Sequence, residues 1–272
     1  MEINEIEILS VGVDVGSSTS HLVFSNLLLK RDQRSVTRRF NIRERNIIYE
    51  GRIIHTPLLD DKTIDIKNLT AFFKEEYERA GIDPADIQTG AVIVTGESAR
   101  KKNARQIAEA LSNDAGKFVA ATAGPNFESL IAAMGSGAAA RSKKENKTIL
   151  SCDIGGGTSN IAISRNGETL STSCVSVGGR LLGIDSNRKI WRMDEPAKTV
   201  MADLGMKHQV GDRISKADIE RVAGKFADIL LEVMTGPARS PLARQLMQTA
   251  DLNFPGRIDE YSFSGGVAEL MY

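Results

Sequence analysis

Several things are scarce in this sequence. It holds two cysteines, Cys152 and Cys174. That is too few for a disulfide framework, so a reducing cytosol is the expected compartment. No run of about 18 apolar residues occurs, which leaves no candidate transmembrane helix. Met1–Leu9 alternates apolar and acidic residues and has neither the basic n-region nor the apolar h-region of a signal peptide. Charge of one sign is also lacking, since 35 Lys and Arg balance 35 Asp and Glu. Binding to nucleic acid or anionic membrane is driven by phosphate neutralisation, so a chain without net charge is a poor general ligand for either. His21, His55 and His208 are the three histidines, and they lack ligand spacing, so no transition-metal site is expected.

What is present suits a folded α/β chain. With 41% hydrophobic and 26% charged residues, the composition is not that of a disordered segment. The 272 residues, at roughly 150 per domain, make one large or two medium domains with an ample core.

The first third reads as strands: Ile8–Val15, Ser20–Leu29, and two β-rich runs at Val36–Ile42 and Asn46–Ile54. Their short spacings favour antiparallel hairpins. Ile66, Leu69, Phe72, Phe73 and Tyr77 form one apolar helix face, closed by Gly81. A strand at Ala91–Thr95, a charged helix at about Ser98–Asn113 and a strand at Lys117–Ala120 follow. A helix rich in Ala and Gly runs from Phe127 to about Arg141, its small residues suited to close approach by another helix. Ser142–Lys147 is a polar connector and the expected domain boundary.

The pattern then restarts. Thr148–Asp153, Thr158–Ser164 and Glu168–Val177 read as strands. Val11–Phe24 and Ile149–Ser164 share one layout: an apolar strand, an Asp-x-Gly turn with hydroxyl residues, and a returning strand. This is an internal duplication of about 135 residues, the size of a domain. The expected domains are residues 1–142 and 148–272, the second with a helical insertion from about Trp191 to Pro255, where Ile219, Val222, Phe226, Ile229, Leu230 and Val233 share one face. Tyr261–Ser264 is a last strand.

Two motifs carry chemistry. Asp14-Val15-Gly16-Ser17-Ser18-Thr19 and Asp153-Ile154-Gly155-Gly156-Gly157-Thr158-Ser159 each put a carboxylate at a strand end beside a glycine turn. Successive unobstructed amides and short hydroxyls can wrap phosphate oxygens. A carboxylate beside them repels phosphate but suits a hydrated Mg²⁺ that bridges phosphates. Two such loops could hold one polyphosphate from both sides. A single turn of this kind is commonplace, whereas two in corresponding positions of a repeat point to phosphate binding. A third motif, Phe263-Ser264-Gly265-Gly266-Val267-Ala268, is a strand ending in paired glycine, against which a flat ring can lie.

Taken together, the three motifs resemble those of the actin, hexokinase and heat-shock-chaperone ATPase superfamily. That resemblance implies a duplicated ribonuclease-H-like fold, two lobes with mixed sheets flanked by helices, and ATP·Mg²⁺ in the cleft. Asp14–Thr19 then stand as the first phosphate motif, Asp153–Thr158 as the second and Gly265–Gly266 as the adenosine motif. Asp14 and Asp153 would hold Mg²⁺ through water. Gly16, Ser17, Ser18, Thr19, Gly155, Gly156, Gly157 and Thr158 would hold the phosphates. The resemblance makes Phe127–Gly137 the first connecting helix and places Glu128 near the metal and attacking water, although a first-turn helix acid accounts for Glu128 as well.

A narrower resemblance runs along the whole chain, to the large-chain reactivating factors of ethanolamine ammonia-lyase from ethanolamine utilisation. It is carried by Gly12–Ser25, by Val94–Ala104 (Val-Thr-Gly-Glu-Ser-Ala-Arg-Lys-Lys-Asn-Ala), by Ala123–Leu130 (Ala-Gly-Pro-Asn-Phe-Glu-Ser-Leu) and by Ser264–Glu269. It implies an ATP-dependent chaperone-like factor with weak ATPase activity. Such a factor releases damaged cobalamin from the inactivated lyase so that adenosylcobalamin can rebind. It further implies a cytoplasmic location associated with a bacterial microcompartment. Family members continue past the adenosine motif, so an incomplete second lobe is expected. Two other readings stay open, a small-molecule kinase on the same fold and a nucleotide-binding polymerising scaffold. No lysine stands out as a γ-phosphate contact; Lys101 and Lys102 are candidates by position or are solvated helix residues. Arg38, Arg39, Arg43 and Arg45 form either a solvated strand face or a contact for an acidic partner. Glu97 sits either near the nucleotide or simply at a helix start. Cys152, on the strand face opposite Asp153, is expected to be a buried structural thiol.

Overall fold

The computed structural model describes residues 4–16, 19–31, 40–60, 63–95, 106–107, 118–122 and 124–272. The chain forms two compact units, Met1–Ala123 and Gly124–Tyr272. Both are α/β. No described helix is long and apolar enough to cross a membrane.

In the first unit, β1 (Glu5–Val15), β2 (Thr19–Arg31) and β3 (Phe40–Glu50) form an antiparallel meander, with β4 (Ile54–His55) also on β2. A small ladder of β5 (Leu58–Asp60) and β6 (Thr63–Ile64) follows. β7 (Thr89–Val94) and β8 (Phe118–Thr122) then add in parallel on the other side of β1, giving the order β3-β2-β1-β7-β8. Strand alternation sends Val11, Val13 and Val15 to one face. There they join Leu22, Phe24, Val92 and Val94 in a core closed by Leu69, Phe72, Phe73 and Tyr77 of the helix Ile66–Ala80. Each such buried side chain stabilises by about 1.5–3 kcal/mol. The helix is bounded as its sequence suggests. The Asp65 carboxylate accepts from the Asn68 amide at 3.1 Å, and Gly81 takes the left-handed cap at φ 66°.

Two sequence expectations change in this unit. The runs Val36–Ile42 and Asn46–Ile54 are not two strands over their described part; Phe40–Glu50 is one edge strand, kept in register by bulges at Arg43 and Ile48. Bulges and the exposed charges of Arg43 and Arg45 are the usual protection of a sheet edge. Of the helix expected at Ser98–Asn113, only Gln106 and Ile107 are described, and Ile107 is fully buried in the core. Arg38, Arg39, Glu97, Lys101 and Lys102 lie outside the described residues.

The second unit repeats the plan. β9 (Ile149–Ile154), β10 (Ser159–Arg165) and β11 (Glu168–Val175) form an antiparallel meander, and β14 (Glu260–Ser264) adds parallel to β9, giving β11-β10-β9-β14. β9 and β10 are buried on both faces. Leu150, Cys152, Ile154, Ile161 and Ile163 pack on one side with Val200, Met201, Phe226, Ile229, Val233 and Leu242. The latter come from the helices Glu195–Asp203, Lys216–Thr235 and Pro241–Leu246. These are the expected helical insertion, preceded by a hairpin of β12 (Leu182–Ile184) and β13 (Ile190–Met193) that contains Trp191.

The other face carries the helices Pro125–Gly135 and Ala138–Glu145. A single helix was expected from Phe127 to about Arg141. Gly137, at φ 77°, breaks it in two. The small residues Ser129, Ala133, Ala138 and Ala139 are buried. The two helices pack on the strands β9–β11 and against each other. Ser142–Lys147, expected as the connector between domains, contains the last turn of the second helix and its left-handed cap at Asn146.

The first unit also buries a carboxylate that pairs with a partly exposed guanidinium. Glu76 is fully buried and accepts from Tyr49 Oη at 2.9 Å, the Arg52 amide at 2.8 Å and Arg52 Nε at 2.6 Å. Burial pushes this carboxyl upward, but the Arg52 amide and guanidinium and the Tyr49 hydroxyl outweigh it and hold its pKa below the ordinary value. Its contribution to stability is therefore complete above about pH 4.3, the ordinary glutamate value, and is lost as pH falls through the lower folded value. Glu76→Gln should destabilise the first unit by about 1.5–3 kcal/mol, because it weakens the charge-assisted bonds from the Arg52 amide, the Arg52 guanidinium and the Tyr49 hydroxyl. Urea titrations from pH 7 down to 3 should show the variant less stable at neutral pH and the difference shrinking on acidification.

Candidate phosphate-binding hairpins

The two Asp-Gly turns have one geometry. In each, the aspartate lies one residue before the end of the first meander strand, and a glycine two residues later donates its amide across the turn. Gly16 N reaches Thr19 O at 2.9 Å, and Gly155 N reaches Thr158 O at 2.9 Å. Asp14 stands opposite His21 and Asp153 opposite Asn160, so the pairing registers match as well. Gly16 must be glycine, since a Cβ there would sit 2.8 Å from Thr19 O.

What surrounds each turn differs. In the first unit, Thr56 Oγ1 donates to Gly16 O at 2.7 Å and lies 2.8 Å from Ser20 Oγ. The Thr95 amide donates to Val15 O at 3.1 Å, and Thr95 Oγ1 donates to Asp14 Oδ1 at 3.3 Å. Ser17 and Ser18, expected phosphate ligands, lie outside the described residues, while Thr19 opens β2.

In the second unit the support comes from glycines. The amides of Gly179 and Arg180 donate to Gly155 O at 3.0 Å and Gly156 O at 2.8 Å. A Cβ on Gly178 would lie 2.5 Å from Gly156 O and 2.6 Å from Gly157 N. The turn Val177–Arg180 is thus laid against the Gly155–Gly157 loop at a distance only glycine permits. That contact uses the loop's carbonyls. The amides of Gly156 and Gly157 have no acceptor among the described residues, the arrangement that lets a loop receive an anion.

Gly265 and Gly266 belong to the same construction. Gly265 is left-handed at φ 84°, and a Cβ there would lie 2.5 Å from Ile154 O. The Val267 amide donates to Ile154 O at 3.3 Å. Ser264, on β14 opposite Asp153, donates its hydroxyl to Asp153 Oδ2 at 2.6 Å. The turn leads into a short 3-10 segment at Ala268–Leu270. Glu128 is half-buried in the first turn of the helix Pro125–Gly135. Its neighbour Ser129 lies 2.9 Å from Ser173 O and 3.3 Å from Asn160 Oδ1, the residue paired with Asp153. The second unit thus brings Asp153, Gly155–Thr158 and Gly265–Gly266 to one sheet end, with the Glu128 helix packed on the same strands.

Sequence reasoning did not single out Gly178–Gly179, Ser264 or Thr95 as parts of these sites. The paired glycine after β11 was the available signal. Cys152 is fully buried, and burial, with Asp153 and Cys174 nearby, pushes its thiol up to about 12. It is no nucleophile at neutral pH.

The donor set fits a hydrated divalent cation. No group of three or more His, Cys, Asp or Glu side chains converges among the described residues, so no cage for a dehydrated metal is present. Mg²⁺ keeps several waters and needs only one or two carboxylates, often beside phosphate. A partly exposed strand-end carboxylate next to unoccupied amides meets that requirement.

A family model for the ethanolamine utilisation protein EutA matches residues 6–272. The protein named ethanolamine ammonia-lyase reactivase EutA in Salmonella typhimurium is 38% identical over 267 residues, covering 98% of this chain and 57% of its own length. Its namesake in Escherichia coli is 36% identical over the same share of both chains. The chain therefore spans a little over half the length of these relatives. Among solved structures, the Ppx/GppA enzyme of Aquifex aeolicus aligns with a TM-score of 0.48 at 15% identity, over 86% of this chain and 67% of that one. The ethanolamine utilisation protein EutJ of Carboxydothermus hydrogenoformans aligns at 0.37 and 16% identity, over 88% and 65%. By the family match along nearly its whole length and by its identity to these relatives, this chain belongs to the EutA family.

Proposed function

We propose that this chain supplies the nucleotide-binding part of a factor that reactivates ethanolamine ammonia-lyase. The observation that carries the reading is the doubled Asp-Gly hairpin, built to one geometry in both units. The reaction itself is suggested by the relatives, which are named reactivases of that lyase.

In this reading the Gly156 and Gly157 amides and the Thr158 and Thr19 hydroxyls bind phosphate oxygens, with Ser17 and Ser18 contributing to the first loop. Asp14 and Asp153 would hold hydrated Mg²⁺, which would supply neutralisation of the phosphate charge. Gly265 and Gly266 leave a flat backbone surface for the adenine ring. Glu128 orients water for a slow hydrolysis. Nucleotide state is linked to target affinity: a conformation that ATP favours and ADP does not, or the reverse, binds one form of the lyase better, and the difference expels the damaged cobalamin. Adenosylcobalamin then enters the emptied lyase. The factor works where the lyase is, in the cytoplasm and at its microcompartment.

Asp153→Ala should lower the Mg²⁺-dependent affinity for ATP at least about tenfold, with little change in affinity measured in EDTA. A fluorescent ATP analogue titrated with and without Mg²⁺ reads both, and near-wild-type affinity in Mg²⁺ would remove Asp153 from the site. Lyase blocked with cyanocobalamin should regain activity when this chain, Mg²⁺-ATP and adenosylcobalamin are added, and Asp153→Ala should abolish the recovery. Phosphoryl transfer to a small alcohol in place of recovery would overturn the reading in favour of a kinase. ATP-dependent sedimenting polymers without recovery would do so in favour of a scaffold.

A further inference from the structure

We propose that Ser264 and Thr95 are positioning residues, each turning the strand-end aspartate of its own unit toward the metal. The inference rests on the reading above, because it concerns the same carboxylates.

The observation is a second level of duplication. In each unit the first meander strand is flanked on one side by its hairpin partner and on the other by a parallel strand, β7 or β14. In each unit a hydroxyl from that parallel neighbour donates to the aspartate. Thr95, directly after β7, reaches Asp14 Oδ1 at 3.3 Å. Ser264, the last residue of β14, reaches Asp153 Oδ2 at 2.6 Å. The donor residues differ in type, as do the sequences around them. The shared feature is a short hydroxyl one strand away.

A carboxylate turns broadly about its last torsion, and outer-sphere binding of a cation requires its lone pairs to face the metal's waters. A hydroxyl bonded to one oxygen selects one orientation and leaves the other oxygen's direction set. The Ser264 bond has the length expected of a hydroxyl on a charged oxygen, which is among the stronger hydrogen bonds. Asp153 Oδ1 carries no hydrogen bond among the described residues. Ser264 is itself held by the backbone, since Gly265 next to it packs against Ile154 and Val267 bonds to Ile154 O. The donor is therefore anchored to the same strand as its acceptor. Second-shell partners of this kind commonly change metal affinity by about 10–100-fold.

The test uses the full chain and the fluorescent ATP analogue, titrated across a series of Mg²⁺ concentrations. Ser264→Ala should raise the Mg²⁺ needed for half-maximal binding about tenfold, with binding in EDTA unchanged. Ser264→Thr restores the hydroxyl and should return the Mg²⁺ requirement to within about twofold of wild type, a rescue that a packing role does not give. Thr95→Val, which keeps the shape and removes the hydroxyl, should shift the requirement in the same direction by less, its bond being longer. It reports independently if Ser264→Ala fails to fold. Wild-type Mg²⁺ dependence in both hydroxyl-free variants would overturn the inference alone, as would a Thr variant as impaired as the Ala variant. A wild-type chain that binds no nucleotide at any Mg²⁺ concentration would overturn the underlying reading, and this inference with it.

Discussion

The candidate site depends on keeping a carboxylate charged and oriented at the end of a strand that is otherwise buried. Asp153 is the penultimate residue of a strand in which Leu150, Ser151, Cys152 and Ile154 are all buried. A charge cannot lie deep in such a strand without a large desolvation cost. It is tolerated at the end, where the chain turns toward water, provided the turn stays out of its way. Glycine supplies that condition. At Gly16 no side chain fits between the turn and Thr19 O, and at Gly178 none fits against Gly156. The meander before the turn and the parallel strand beside it hold the strand end in place.

The two units meet this demand with different chemistry. The first ties its turn down with a hydroxyl, Thr56 on the Gly16 carbonyl. The second ties its turn down with backbone, since the Gly179 and Arg180 amides cover the loop's carbonyls. Backbone support requires the two chains to come within contact distance of each other, which is why it is accompanied by glycine on both sides. Hydroxyl support tolerates side chains, and the first motif accordingly has one glycine where the second has three. The duplication is therefore clearest in hydrogen-bond geometry and weaker in residue identity.

Much of this was legible in the sequence because it is local. The helix Ile66–Ala80 announces itself by its apolar spacing and its Gly81 cap. The Asp-Gly turns are legible because carboxylate, glycine and hydroxyl fall within six residues of one another. The misread features lack a decisive local signal. The break at Gly137 lies inside an Ala-rich stretch that reads as continuous helix, and only the left-handed angle at that glycine divides it. The edge strand Phe40–Glu50 passes through Arg43-Glu44-Arg45, whose charges look like a turn and are instead the exposed surface of a bulged edge. Ser264 and Thr95 could not be connected to their aspartates at all, because nothing in the local pattern says which strand lies beside which.

Pairing across the sheet also explains why the paired glycine after β14 has consequences beyond any ring it receives. Gly265 packs on Ile154, one residue past Asp153, and Ser264 bonds to Asp153 itself. Backbone that would face the adenine thus directly follows the last rung of the parallel ladder, the one that holds the carboxylate. A displacement of the Gly265–Gly266 turn by a bound base would be transmitted to the Ser264 hydroxyl with no intervening flexible segment. Under the proposed nucleotide reading, base occupancy and carboxylate orientation would be coupled through this contact.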